Sequence, residues 1–357
     1  MKKVLIDLYK VKELYSGLGQ FSINFAKEII SQSPEEFSVE FLTPKNFDIG
    51  DIKKFTSVKV NFQKRYFPKF NKSYDIWHSL QQFPSHFPNK KSIFILTIHD
   101  LNFLFEKNGI KKIMYLKRLQ KNVDRADYIT TISNYSKKNI EDHLNLRGKS
   151  IFTIYNGIDI NHNDVGFKPN YMNNKKFFFS IGIFNEKKNF HTLLSIIKYF
   201  KDYQLVIAGY KDTNYGKQIQ RQINARKLND RVILPGNIRT DEKLWFYRNC
   251  EAFLFPSLAE GFGMPAIEAM KFGKPVFLSK YTSLPEIGGD GAFYFDNFEE
   301  DYMSSFIQSN LSYYNANQVL LSDQIQKHAD KFSLQQSIAQ YLKLYYEIAN
   351  KIDSGSQ

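Results

Sequence analysis

Pro256-Ser257-Leu258-Ala259-Glu260-Gly261-Phe262-Gly263-Met264-Pro265-Ala266-Ile267-Glu268-Ala269-Met270 decides how the chain is read. Ala252-Phe253-Leu254-Phe255 before it is a short apolar run, the pattern of a buried strand. Pro265 stands where a first helical residue belongs, and Gly273 where a helix stops. The stretch therefore reads strand, glycine-bearing loop, helix start. In an open α/β sheet, ligands bind at the carboxyl ends of the strands, where such loops sit. The two glycines let backbone approach a ligand, and the N–H groups of a helix start favour an anion. Glu260 at the strand exit and Glu268 in the first helical turn bracket the loop. Carboxylates in a site that also attracts phosphate point to a ligand with both phosphates and hydroxyls, which a nucleotide sugar has.

The 357 residues, 43% of them apolar, are enough for two domains with full cores. One cysteine, Cys250, rules out an internal disulfide and suits a reducing compartment. Met1-Lys2-Lys3 runs directly into Val4-Leu5-Ile6-Asp7-Leu8, too short and acid-interrupted for a secretory leader. With no apolar run of transmembrane length, a soluble or peripheral protein is expected. The net charge of +13 is uneven: residues 1–165 hold 26 Lys and Arg against 17 Asp and Glu. A basic half suits nucleic acid, anionic lipid or a phosphorylated substrate, and equally a plain solvated surface.

Outward from the central stretch, strands and helices alternate. Val4 to Leu8 reads as a first strand, Ser16-Gly17-Leu18-Gly19-Gln20 as a loop able to face phosphate, and Phe21 to Ile30 as a helix. Val39 to Thr43 is a second strand. Residues 53–72 interleave Lys53, Lys54, Lys59, Lys64, Arg65, Lys69 and Lys72 with Phe55, Phe62, Tyr66, Phe67 and Phe70; this reads as a loop region, with lipid contact and then stacking on nucleic-acid bases as its functional alternatives. Ser92 to Ile98 is a strand buried on both faces, ending at the titratable pair His99-Asp100. Residues 106–127 form a basic amphipathic helix whose expected buried face is Ile113, Leu116, Leu119 and Val123. Residues 160–176, rich in Asn and without periodicity, read as an interdomain linker. The alternation restarts at Lys176 and ends in a helical stripe of Leu334, Ile338, Leu342, Tyr345 and Ile348.

Two successive βαβ halves predict two doubly wound domains facing each other, with the cleft between them as the default site. At Glu260-Gly261-Phe262-Gly263-Met264-Pro265 with Glu268, seven residues intervening between the glutamates, the chain resembles the retaining glycosyltransferases of family 4, which adopt the GT-B fold. Gly17-Leu18-Gly19, His99-Asp100, Asn156-Gly157-Ile158-Asp159, Gly182, Lys188-Asn189, Gly236 and Pro285-Glu286 extend the resemblance along most of the chain.

The resemblance implies an acceptor-binding Rossmann-like domain over 1–165, a donor-binding one over 172–330, and a C-terminal helix over 331–352 returning toward the first. It implies that Glu268 holds ribose hydroxyls and that Glu260 lies at the sugar ring. Gly261, Phe262, Gly263 and Met264 would offer backbone N–H groups to the donor, Lys188 would neutralise its diphosphate, Gly19 would approach the phosphates, and His99 would stand near sugar and acceptor. The Arg usual after the glycine at 182 is here Ile183, so one diphosphate cation is missing; Arg239 and Arg248 are alternatives better read as surface residues. No Asp-x-Asp pair or HExxH spacing occurs, so no metal and no cofactor beyond the nucleoside diphosphate sugar are expected.

The resulting expectation is a hexosyltransferase moving mannose from GDP-mannose, or else a hexose from a UDP-sugar, to a lipid-linked or lipopolysaccharide-type acceptor. Its setting would be the cytoplasm, peripheral on the inner membrane face through the basic first domain, without nucleic acid. The alternatives are a nucleic-acid-binding α/β protein and a catalytically silent scaffold of the same fold.

Overall fold

Continuous apolar runs such as Ile93-Phe94-Ile95-Leu96 have no polar face to turn to water, the pattern of parallel strands covered by helices on both sides. A computed structural model describes residues 1–12, 17–32, 35–44, 57–60 and 73–355, with the backbone alone at 10, 12 and 57–60. It divides into two compact units, Met1–Asp159 with Phe332–Gln357, and Ile160–Lys331.

In the first unit β1 (Lys2–Asp7), β2 (Phe37–Pro44), β3 (Ser57–Val60), β4 (Ile76–Ser79), β5 (Ile93–Ile98), β6 (Tyr128–Thr131) and β7 (Ile151–Thr153) form one parallel sheet. Its order is β3-β2-β1-β4-β5-β6-β7, with Val4 of β1 in register with Val39 and Ile76. One face is covered by α1 (Gly17–Gln32) and the C-terminal helix Leu334–Asp353, through Phe21, Phe25, Ile338 and Tyr345. The other face is covered by α2 (Phe103–Glu106), α3 (Gly109–Arg125) and α4 (Asn134–His143), through Phe103, Leu119, Val123 and Ile140. The C-terminal helix is also tied to the sheet by polar contacts: Tyr345 Oη lies 2.6 Å from His78 Nδ1, and His78 Nε2 lies 2.8 Å from Thr97 Oγ1. Gly157 makes room for that helix, since a Cβ there would stand 2.3 Å from Leu334 Cα.

The second unit repeats the plan. Its strands are β8 (Lys176–Ile181), β9 (Tyr203–Ala208), β10 (Val232–Gly236), β11 (Ala252–Phe255), β12 (Val276–Ser279) and β13 (Phe293–Phe295), all parallel in the order β10-β9-β8-β11-β12-β13. The intervening helices are α5 (Phe190–Ile196), α6 (Asn214–Ala225), α7 (Thr240–Asn249), α8 (Met264–Lys271) and α9 (Leu284–Gly288), followed by α10 (Glu300–Ala316) and α11 (Gln318–Asp330). In this sheet the order reverses between β8 and β11, and such a reversal opens a crevice at the carboxyl ends of the two strands.

Several expectations are corrected. Gly17 and Gly19 lie inside the first turn of α1, not in a loop before it. Glu268 is the fifth residue of α8, hence in its second turn. Within residues 53–72 the segment Ser57–Val60 is a parallel edge strand, and the remaining basic and aromatic residues fall outside the described residues. Residues 160–176 are no free linker but pack on α7. Phe167 N donates to Asp241 O at 3.0 Å, and a Cβ at Gly166 would meet Trp245 N at 2.4 Å. The division between units accordingly falls after Asp159, where the sequence reading put it at 165.

Candidate active site at the ends of β8 and β11

Two loops meet where the second sheet reverses. The β8 loop carries Lys187 and Lys188, and the β11 loop carries Ser257 to Gly263. They are stitched together by main-chain chemistry: Leu258 N donates to Lys187 O at 2.6 Å, and Ser257 Oγ lies 3.1 Å from the same carbonyl. Thr282 Oγ1 accepts from Glu260 N at 2.9 Å, and Ser283 Oγ donates to Phe262 O at 2.9 Å. Short hydroxyl side chains thus hold the loop from below, which fixes a stretch that glycines would otherwise leave loose.

Lys188 Nζ lies 2.5 Å from Glu260 Oε1, with the two side chains only 10% and 12% exposed. Ser257 Oγ donates to the same oxygen at 2.5 Å. Burial alone would push the Glu260 carboxyl up. The charges of Lys188 and Lys187 and the two hydrogen bonds outweigh it and hold the group below its usual value. The Lys188 ammonium also sits 4.6 Å from the ring centroid of Phe255, the last residue of β11. Room for it comes from Gly182: a Cβ there would stand 2.9 Å from Lys188 Cε. Gly263, with φ +111°, caps α8, and a Cβ on it would meet Leu284 Cδ2 at 2.7 Å. Gly261, Phe262 and Gly263 are all buried, so the chain turns into α8 under tight packing.

Glu268 is held by two residues that sequence reasoning passed over. Lys243 Nζ lies 2.8 Å from Oε1, and Tyr247 Oη donates to Oε2 at 2.7 Å. Both come from α7, where a spacing of four puts them on one face. Burial, and then the Glu268 carboxylate, push the Tyr247 phenol far above its usual range, so it serves only as a donor. The pattern Lys243-x-x-x-Tyr247 was visible in the sequence, but nothing there says that this helix face turns toward α8.

The alternative cations take other partners. Arg239 binds Asp241 through two hydrogen bonds, and Arg248 donates to His162 O at 2.8 Å. Both partners are on the surface. Ile183, at the position of the usual Arg, is 40% exposed. Lys211 Nζ donates to Leu234 O at 2.6 Å beside Gly236. Among the described residues, no group of three or more His, Cys, Asp or Glu is placed to hold a metal ion.

His99 and Gly19 belong to the first unit. His99 follows β5, and its Nε2 lies 2.8 Å from Leu80 O. A carbonyl only accepts, so this nitrogen carries the proton and Nδ1 is the acceptor of the neutral ring. Burial lowers the His99 pKa to about 4 in spite of the Leu80 bond. Phe21, two residues past the buried Gly19 in α1, meets the His99 ring edge-on at 5.2 Å between centroids. The start of α1 and His99 are therefore neighbours. Asp7 at the end of β1 is also buried, which raises its pKa to about 6.

The second unit thus presents two buried carboxylates, each fixed by a lysine and a hydroxyl, over a glycine-lined loop at a helix start. Carboxylates so fixed accept hydrogen bonds from hydroxyl groups in set directions, while the lysines and the helix start supply positive potential for an anion. Residues 164–316 match the family model described as glycosyl transferases group 1, and residues 56–162 match that for glycosyltransferase family 4. The O-antigen chain mannosyltransferase RfbU of Salmonella typhimurium is 29% identical over 60% of this chain and 60% of its own. The match thus spans less than two thirds of that relative's length. The O-antigen chain mannosyltransferase B of Escherichia coli is 23% identical over 87% of this chain and 90% of its own. Among solved structures, Anabaena HepE in complex with UDP-glucose aligns over 96% of this chain and 100% of its own with a TM-score of 0.74 at 17% identity, a likeness of fold. Motif, paired sheets and family matches agree, and the chain belongs to the group 1 and family 4 glycosyltransferases of GT-B fold.

Proposed function

We propose that this chain is a retaining glycosyltransferase that moves a hexose from a nucleoside diphosphate sugar to a lipid-linked or lipopolysaccharide-type acceptor. The observation that carries it is the arrangement of Glu260 with Lys188 and of Glu268 with Lys243 and Tyr247 at the reversal of the second sheet. Each Glu268 oxygen accepts one bond from within the protein and keeps lone-pair capacity for a second, which suits a pair of ribose hydroxyls. Glu260 stands at the sugar ring, and Gly261, Phe262, Gly263 and Met264 lead the backbone past the donor into α8. Lys188 stabilises the diphosphate as the bond from the anomeric carbon to its phosphate oxygen breaks and charge collects there. We assign Gly19 to the phosphates and His99 to the sugar and acceptor.

GDP-mannose is the first donor to test, because RfbU and the Escherichia coli relative are named mannosyltransferases. UDP-hexoses come next, since HepE was solved with UDP-glucose. Lys188, Lys243 and the helix start favour transfer without a divalent ion. A lipid-linked acceptor places the protein in the cytoplasm, peripheral on the inner membrane face. The test is mass spectrometry of products after incubation with pooled nucleotide sugars and a lipid extract. Glu260→Ala and Glu268→Ala serve as controls. A new glycosylated lipid that needs both glutamates supports the assignment, and the absence of any sugar transfer or nucleotide release refutes it.

A further inference from the structure

The sequence expectation buried Ile113 with Leu116, Leu119 and Val123, yet only Leu119, Asn122 and Val123 of α3 are buried. Ile110, Ile113 and Met114 are 76%, 53% and 62% exposed, and Phe105 at the end of α2 is 59% exposed. Ile110 is nine residues from the buried Leu119, and Met114 nine from the buried Val123, which on an α-helix is half a turn out of phase. The apolar stripe therefore faces directly away from the core. Lys117 and Lys121 continue the same outward line at helical spacing and are exposed, as is Lys111. Arg118 and Arg125 lie over the rings of Phe83 and Phe87 at 5.1 and 4.5 Å. The nearby Asp124 is bound by Arg147 at 2.8 Å.

An apolar stripe of this kind on a helix surface marks a docking site. We propose that the outer face of α3, with Phe105, docks on a bilayer containing anionic lipid. Ile110, Ile113, Met114 and Phe105 enter the boundary between headgroups and chains, and Lys111, Lys117 and Lys121 meet lipid phosphates. The charge selects this occupant over a second copy of the chain, because a two-fold contact on this face would set Lys117 and Lys121 against themselves. Attachment would be interfacial, since no helix among the described residues is long and apolar enough to cross a membrane. This inference deepens the membrane side of the proposed function and rests on that reading for its purpose.

The test is flotation of the full chain with phosphatidylcholine vesicles made with and without phosphatidylglycerol. Nucleotide-sugar binding is measured in parallel by calorimetry without vesicles. The wild type is expected to float with anionic vesicles in a salt-sensitive way. Ile113→Asp, Met114→Asp and the pair Lys117→Glu with Lys121→Glu each weaken flotation about ten-fold. Because these side chains are exposed, unfolding midpoint and donor binding stay at the wild-type level. Flotation that is absent, that is equal on pure phosphatidylcholine, or that is unchanged in the variants overturns the inference. So does sedimentation showing a dimer that Met114→Asp dissociates. Donor binding without flotation defeats the membrane site alone; flotation without donor binding defeats the transferase reading and leaves the membrane site standing.

Discussion

Lys188 Nζ and Glu260 Oε1 form a buried ion pair at 2.5 Å, made possible by the missing side chain at Gly182. A buried pair of this kind is costly to break from one side, because the remaining charge is left without water or a partner. Glu260→Gln and Lys188→Met should each lower the stability of the second unit by about 3 kcal/mol in urea unfolding. The double variant should lose well under the sum, since no lone charge remains. Transfer activity should be lost in all three, which separates the pair's chemistry from its part in folding. Additive losses would show that the two groups are not coupled.

Tyr247 and Lys243 each hold one oxygen of Glu268 in place. Tyr247→Phe removes one charge-assisted bond, about 1.5 kcal/mol, and should raise the donor KM about ten-fold while kcat changes little. Lys243→Ala should act in the same direction. A fall in kcat at unchanged KM would place Glu268 at the reacting bond instead of the ribose.

Gly182→Ala adds one methyl at 2.9 Å from Lys188 Cε, the flexible part of a side chain. The lysine should yield and the fold should hold, with a thermal midpoint within a few degrees of wild type and a clear loss of activity. Gly263→Ala differs in kind. Its φ of +111° and the Leu284 methyl at 2.7 Å leave no room for relief. A stability loss on the order of 1–3 kcal/mol should accompany the activity loss.

The first unit carries a pH signature. Burial lowers His78 to about 3, with the His99 charge adding to the effect, and lowers His99 to about 4. Between pH 4 and the unfolded value near 6.5, the unfolded chain binds two protons that the folded chain refuses, so stability falls as pH drops through this window. Asp7, raised to about 6, works the other way, because its folded form holds a proton that the unfolded form has lost. At pH 5 the two histidines outweigh the one aspartate by about one proton. Stability should therefore rise with pH on the order of 1 kcal/mol per unit. Asp7→Asn should steepen this slope, and unfolding at pH 5 and 7 measures it.

The parallel sheets and the candidate loop were legible because their signals are local. Runs such as Phe253-Leu254-Phe255 cannot face water, and Glu260-Gly261-Phe262-Gly263 followed by Pro265 spells a loop entering a helix. The partners of the glutamates were not legible in the same way. Lys243 and Tyr247 reach Glu268 only because α7 packs beside α8, a tertiary fact. Ile113 misled for another reason. Steps of three drift around a helix of 3.6 residues per turn, so Ile113 stands about 120° round the axis from the buried Leu119 and comes out exposed. Gly17 and Gly19 read as a loop because glycine disfavours helix interiors, yet packing of Phe21 and Phe25 on the sheet carries the helix back through them.

The central claim is that Glu260 with Lys188, and Glu268 with Lys243 and Tyr247, bind and activate a nucleoside diphosphate sugar. The most direct measurement is nucleotide release from GDP-mannose and UDP-hexoses by the wild type, Glu260→Gln and Glu268→Gln, with binding of each donor measured alongside. The account predicts that one donor binds and turns over in the wild type. Glu268→Gln should then lose donor affinity, and Glu260→Gln should keep most of the affinity while losing turnover. A wild type that neither binds nor cleaves any nucleotide sugar, or glutamate variants as active as the wild type, would contradict it.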